Sequence, residues 1–265
     1  MTNALMVEPL AMPAISASST AAGYDAQNCD NDFIGVVWKS ASGLTSVTVT
    51  VDLGDDVAFD TACLLGCVGA YASWTLKVEI ATAAQGSGFA GAWSGSVETF
   101  LAGTASPRNG RSKAFWQAPP GAPAAGRYVR FSIASLGSFP ATIGRIVSGK
   151  KIQMERNFSF GAAFGVNALG NVDFSVNGVP LRRMGKKLRA LGISFGHVHR
   201  DEVEEEVQPL LEASGNDMPI LIVTDPETDA QRQSRIYFGF LVGNIGTVWA
   251  RANGFQAQIN LVSID

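Results

Sequence analysis

Residues 45–53 read TSVTVTVDL. Val47, Val49, Val51 and Leu53 recur at every second position, with Thr48, Thr50 and Asp52 between them. A period of two places the apolar side chains on one face of a β-strand and the polar ones on the other. Similar short runs, bounded by turn-forming residues, lie at 61–68, 74–81, 127–134 and 142–147. That pattern predicts an all-β sandwich or barrel over the first part of the chain. Two long loops are expected between these strands, 83–95 and 103–126, the second carrying Pro107, Pro119, Pro120 and Pro123. Loops of that length usually carry function or an interface.

Charge density rises beyond residue 150. Residues 1–150 hold 9 Lys/Arg and 10 Asp/Glu, whereas 151–265 hold 11 and 13. The second part starts with 157–164 and continues with strands 172–176 and 179–184, joined by Asn177-Gly178, a strong hairpin signal. Further strands are expected at 187–197, 219–224, 235–243, 247–251 and 255–262, with a single helix near 201–213. Asp201 and Glu204 fit a capping box, and Val203, Val207, Leu210 and Leu211 form one apolar stripe. Pro209 should kink or divide this helix and Gly215 should end it. The expected fold is therefore all-β with one short helix. Its parts are an N-terminal arm (1–19), a β-sandwich (20–150) and a second β-sandwich with a flanking helix (151–265).

Composition excludes several classes. Of 265 residues, 46% are hydrophobic and 16% charged, with a net charge of −3. Disordered chains combine low apolar content with high net charge, which is the reverse. No run of ~20 apolar residues is free of Gly, Pro or charge, so membrane insertion is not expected. Nucleic acid usually demands a concentrated basic surface, which this balance does not supply. Three cysteines, an odd number, argue against a disulfide framework. Cys63 and Cys67 would share one face of a strand at roughly 13 Å, too far for a bridge. Reduced thiols and cytoplasmic synthesis are expected. The N-terminus lacks a basic region and is interrupted by Glu8, Pro9 and Pro13, so it reads as an arm or first strand rather than a secretion signal.

Motifs for chemistry are isolated. Gly86, Gly88 and Gly91 spell GxGxxG, but no helical stripe follows to receive a pyrophosphate. Gly192, Ser194 and Gly196 spell GxSxG; in a regular strand, Ser194 would face away from His197 and His199. The two histidines are candidate metal ligands, since a threefold axis could gather six imidazoles around one ion. Asp52, Asp55, Asp56 and Asp60 are a second candidate, for Ca²⁺, set against an ordinary polar turn. Trp93 and Trp116, with Arg108 and Arg111, lie in the long loops and are candidates for stacking on a sugar or a protein surface, set against aromatic caps on the core beneath the loops. Arg182, Arg183, Lys186 and Lys187 stand against Glu204 and Glu205, opposite charges suited to head-to-tail contact between copies. No coherent catalytic set emerges, and no cofactor is expected.

Residues 17–66 resemble the discoidin or galactose-binding-like jelly roll. The resemblance rests on Trp38 before a strand ending in Asp52-Leu53-Gly54, an apolar strand after it, and a closing Arg127-Tyr128-Val129-Arg130-Phe131. It covers about residues 20–150. The remainder is similar to tail-tip and baseplate proteins of tailed phages. The features it shares with them are a hairpin, a strand, an acidic helix, Pro219-Ile-Leu-Ile-Val-Thr-Asp-Pro226, Arg235-Ile-Tyr-Phe-Gly239 and terminal strands. That resemblance implies a tail-tube-like β-sandwich or split barrel in a ring-forming virion protein. Its partners would be copies of itself and other tail or baseplate proteins, and its jelly roll would face outward. The protein would be made in a bacterial cytoplasm and reside in the virion tail. The alternative is a carbohydrate-binding module or adhesin recognising cell-surface glycans. Neither is an enzyme.

Overall fold

The computed structural model describes residues 2–107, 109–243 and 246–264. The chain is mostly β, and three antiparallel sheets stack face to face with a helix on the outside.

The first sheet is six-stranded, in the order Ala14–Ala17, Ser46–Ala58, Ala125–Ala134, Thr75–Ala81 and Trp93–Ser94, with Glu98–Thr99 also on Thr75–Ala81. The alternation at 45–53 sets its register: Val49 lies opposite Phe131, and Phe131 opposite Val78. These side chains point inward and are buried. Fully burying each contributes roughly 1.5–3 kcal/mol. The second sheet has three strands, Arg145–Gly149, Thr61–Val68 and Arg111–Gln117. Ala62, Leu64, Ala114, Trp116 and Ile146 close the sandwich core from this side.

Cys63, Leu65, Phe115 and Val147 leave the opposite face of the second sheet and meet Leu5, Val7, Leu221, Val223, Ile236 and Phe238 of the third. The middle sheet is thus covered on both faces, which explains why 61–68 is apolar throughout rather than alternating. The strand Arg111–Gln117 lies where the sequence suggests a long loop. Lys113 on its buried face interrupts the apolar pattern that would have marked it.

The third sheet has eight strands. Its path runs Lys151–Ile152, Leu5–Val7, Pro219–Val223, Ile236–Leu241, Gly254–Ser263, Lys187–His199 and Ala163–Ala168, with Gly246–Arg251 also on Gly254–Ser263. Among the described residues its two ends do not pair, so the sheet stays open rather than closing into a barrel. Residues 1–19, expected as an arm, supply Leu5–Val7 to this sheet and Ala14–Ala17 to the first.

The helix spans 200–214 and covers the outer face of the third sheet through Val203, Val207 and Leu210. Its cap lies two residues earlier than Asp201: the Glu202 carboxylate accepts the His199 backbone N–H at 3.0 Å. Pro209 stands in the first turn of the last α-helical segment, Gln208–Ser214, so the helix is divided just before it, as expected. A π-turn over Val203–Val207 precedes the proline, with the Gln208 N–H donating to the Val203 carbonyl, and this widens the backbone where a proline ring would crowd the carbonyl four residues back. Gly215, at φ +49°, ends the helix as expected.

Two bulges correct the expected facing of side chains. Between Leu64 and Cys67 the register slips against Arg111–Gln117. Gly66 adopts φ +69° there, and a Cβ on it would stand 2.6 Å from Ile34 Cγ2. The slip sends Cys63 to the third sheet and Cys67 to the sandwich core, so they do not share a face. All three thiols are free and buried; burial pushes Cys29 and Cys63 up to about 12. A second slip, between Phe195 and Val198, places His197 and His199 on the same exposed side as Ser194.

A polar seam locks the middle sheet to the third. The Lys113 backbone N–H donates to Gln233 Oε1 at 2.8 Å, and its Nζ donates to the Ile236 carbonyl at 2.7 Å. Gln233 Nε2 donates to the Gly103 carbonyl, and Arg232 Nε donates to the Ala102 carbonyl at 2.6 Å. Burial, reinforced by the nearby Arg189 charge, holds the Lys113 ammonium well below its ordinary range.

Candidate functional site

Among the described residues, the strand Ala163–Ala168 forms one end of the large sheet and pairs only with Lys187–His199. Both partners run on into a hairpin, Asn171–Phe174 against Pro180–Arg183. The turn is closed by the Gly178 N–H donating to the Ser175 carbonyl at 2.9 Å, with Gly178 at φ +76°. Every residue of both hairpin strands is exposed, including Val172, Phe174 and Leu181, and Val176 at the tip is 103% exposed. An isolated two-stranded hairpin is marginal in water and needs cover on a face. This one offers apolar side chains with nothing of its own chain upon them.

At the root of the ribbon lies a groove of about 700 Å³. Phe158, Phe160, Phe164 and Tyr237 supply its apolar walls, and Asp225 and Arg235 lie at its edge. Phe160 is 107% exposed. Phe164 and Tyr237 stand 6.5 Å apart, and the Arg189 guanidinium lies 3.9 Å over the Tyr237 ring, fixing it. Arg235 is held by Asp225 at 3.2 Å and Asp229 at 3.4 Å. The adjoining surface is acidic. Glu155, two residues before Asn157 in the groove wall, donates its backbone N–H to the Glu202 carboxylate at 2.7 Å.

The residues proposed from sequence are dispersed. Trp116 is a core side chain, 3% exposed, packed between Phe59 and Trp93 at 6.3 and 6.2 Å. It offers no face to a ligand, which corrects the expectation from its place in a long loop. Trp93 is half-buried beside it. Arg111 sits at the other end of the strand, roughly 17 Å from Trp116 at ~3.3 Å per residue, and Arg108 lies outside the described residues. Arg182, Arg183, Lys186 and Lys187 are exposed along the ribbon. Glu204 and Glu205 are exposed on the helix, Glu204 paired with Arg200 at 2.6 Å.

His197 and His199 are in edge-to-face contact at 4.9 Å, and His199 Nε2 is 3.3 Å from Glu155. Among the described residues no group of three or more His, Cys, Asp or Glu could hold a metal. Three of the four aspartates of the 52–60 turn are engaged elsewhere. Asp52 pairs with Arg127 at 2.8 Å, and that bond holds its carboxyl below the usual range. Asp56 accepts the Ala83 N–H at 2.8 Å, and Asp60 accepts Thr61 Oγ1 and the Lys151 N–H. Gly86, Gly88 and Gly91 lie in turns leading to the short strand Trp93–Ser94, not to a helix.

A second concavity, about 730 Å³, lies where Arg111 meets the 31–36 loop and the large sheet. Its lining includes Asn31, Asp32, Phe33, Arg111, Lys186 and Phe240. Phe33 is 77% exposed. Buried Arg145 anchors the preceding turn through Asp30 at 2.7 Å and Asp32 at 3.8 Å. Burial raises the Asp30 carboxyl above its ordinary value, with Arg145 opposing. Sequence reasoning missed this cleft, although Asn28-Cys-Asp-Asn-Asp-Phe33, a polar run ending in an aromatic, was its visible signal.

No family model matches the chain, and no curated protein does. Among solved structures it is similar to a chitosan-binding module from a chitosanase/glucanase of Paenibacillus sp. IK-5, at 19% identity and a TM-score of 0.40, covering 53% of this chain and 97% of that one. It is also similar to the lectin domain of lectinolysin complexed with Lewis B antigen, at 16% identity and a TM-score of 0.36, covering 52% and 92%. A third is the CBM32 of AlyQ in complex with 4,5-unsaturated mannuronic acid, at 13% identity and a TM-score of 0.38, covering 53% and 96%. These similarities span about half of the chain.

Proposed function

We propose that this protein is a non-enzymatic structural subunit of a multi-copy assembly, of the kind built into the tail tip or baseplate of a tailed phage. In this reading residues 151–265 pack against copies and neighbouring tail proteins in a ring, and the sandwich of residues 20–150 faces outward. The observation that carries it is the ribbon 163–192, whose outer hairpin exposes Val172 and Phe174 on one face, Leu181 on the other, and Val176 at its tip. Apolar side chains exposed in this way mark an interaction site, and the open edge at Ala163–Ala168 offers unpaired backbone beside them. Sedimentation velocity of the full chain across a wide concentration range tests the proposal. Concentration-dependent growth in mass is expected, lost when Phe174 and Val176 are both changed to Ser. A chain that stays monomeric throughout overturns it.

A second reading, saccharide binding, is favoured by the cleft at Arg111. An exposed ring, Phe33, stands there beside Asn31, Asp32 and Arg111, an apolar platform rimmed by hydrogen-bonding groups. Titration with a panel of bacterial surface saccharides should show saturable binding abolished by Phe33→Ala or Arg111→Ala. Binding that survives both variants, or none across the panel, excludes the cleft as a sugar site.

A further inference from the structure

Resting on the assembly reading above, we infer that the hairpin tip of one copy lodges in the groove beside Tyr237 of a second copy. In the single chain both surfaces are bare: Val176 at the tip and Phe160 in the groove are each fully exposed. The tip cannot return to its own root. The ribbon is paired from Ala163–Gly192 through Asn171–Arg183 to Phe174–Pro180, which ties the hairpin outward along its length. The tip of the same chain is therefore not the occupant of this groove, and a second copy supplies it.

The two surfaces match in chemistry. The tip presents Phe174, Val176 and Val179, and the groove offers Phe158, Phe160 and Tyr237 around about 700 Å³, room for two or three such side chains. Behind the tip, segment 171–187 carries Arg182, Arg183, Lys186 and Lys187 against Asp173 alone, a net +3 (4 minus 1). Beside the groove, Glu155, Asp201, Glu202 and Glu204 stand against Arg156 and Arg200, a net −2 (2 minus 4), while Glu205 and Glu206 line a separate concavity with Lys150. The Glu155–Glu202 hydrogen bond brings these acidic residues together next to the groove wall. An apolar tip with a basic shoulder thus faces an apolar groove with an acidic shoulder. Because the surfaces differ, the contact is heterologous and propagates from copy to copy. Rim charges of opposite sign set its register and make it sensitive to salt.

Cross-linking of the full chain tests this arrangement. One preparation carries Val176→Cys and the other, distinguished by an affinity tag, carries Phe160→Cys; both positions are fully exposed, so folding is unaffected. The three native thiols are buried and will not compete. A short bismaleimide should link the two variants when mixed, while either variant alone gives at least tenfold less product. Arg182→Glu with Arg183→Glu on the tip-bearing chain should cut the yield about tenfold, and Asp201→Lys with Glu204→Lys on the groove-bearing chain should restore it. Self-association by mass without tip-to-groove product overturns this inference alone and leaves the groove to another protein. Equal tip-to-tip product overturns it as well. A chain that is both monomeric and unlinked overturns the assembly reading with it.

Discussion

The middle sheet and the outer hairpin are both short antiparallel β structures rich in apolar residues, yet they differ completely in cover. In Thr61–Val68 seven residues in succession are buried, because the sandwich core takes one face and the large sheet the other. In Asn171–Phe174 and Pro180–Arg183 no residue is buried. The contrast teaches that local sequence specifies a strand without specifying what covers it. In the first case part of the cover, Leu221, Val223, Ile236 and Phe238, comes from residues more than a hundred positions away, and in the second no described residue supplies it.

That contrast can be broken or sharpened by substitution. Phe115→Ala, at the contact between the middle and large sheets, should destabilise the monomer by about 3–5 kcal/mol, read from urea denaturation with an unchanged slope. A loss under 1 kcal/mol would mean that the two sheets are not mutually buried.

Lys113→Met should act in the opposite direction. It removes a buried ammonium while the Ile236 carbonyl keeps its bond from Arg189 Nη1 at 3.0 Å. A gain of about 1 kcal/mol is expected, since well-packed apolar replacements of buried charges are neutral or stabilising. The pH dependence gives the sign independently. Lys113 has a folded pKa depressed below the ~10.4 of the unfolded chain. Between those two values the unfolded chain binds the extra proton, so this group makes stability rise with pH across that window, and its full penalty is present below it. The Met variant should lose that slope relative to the parent protein.

The smallest effect is expected in the hairpin. Val172→Ser with Leu181→Ser should change monomer stability by no more than ~0.5 kcal/mol, measured at low concentration. A larger loss would show that the hairpin packs on its own chain.

Much of the fold was legible because its periodicity is local. The run at 45–53 announced its strand and its buried face, and the Asn177-Gly178 pair announced the hairpin. The helix was placed to within a residue at either end. What escaped were features fixed by distant contacts. Lys113 made a buried strand look like loop, since its ammonium is satisfied by a carbonyl 123 residues away. The bulges beside Gly66 and Gly196 reversed the facing of Cys67 and of the two histidines. A glycine inside an otherwise apolar strand was the visible sign of each. Trp116 was left open between a surface aromatic and a core cap for the same reason that its strand was missed. The apolar tip was read as ordinary strand, and the groove could not be seen, because its walls come from 158–164 and 235–237 and meet only after folding.

The placement of Leu5–Val7 bears on how the chain is made. This strand pairs with Pro219–Val223 on one side and Lys151–Ile152 on the other. At ~5–20 residues per second a ribosome needs roughly 10–40 s to pass from the first of these segments to the last. Until residue 223 has been made, this strand lacks its inner neighbour, and only the middle sheet and Lys151–Ile152 are there to hold its apolar side chains. Completion of the large sheet therefore waits for residues 219–263, and truncation upstream of residue 219 would leave the first strand permanently without its inner neighbour.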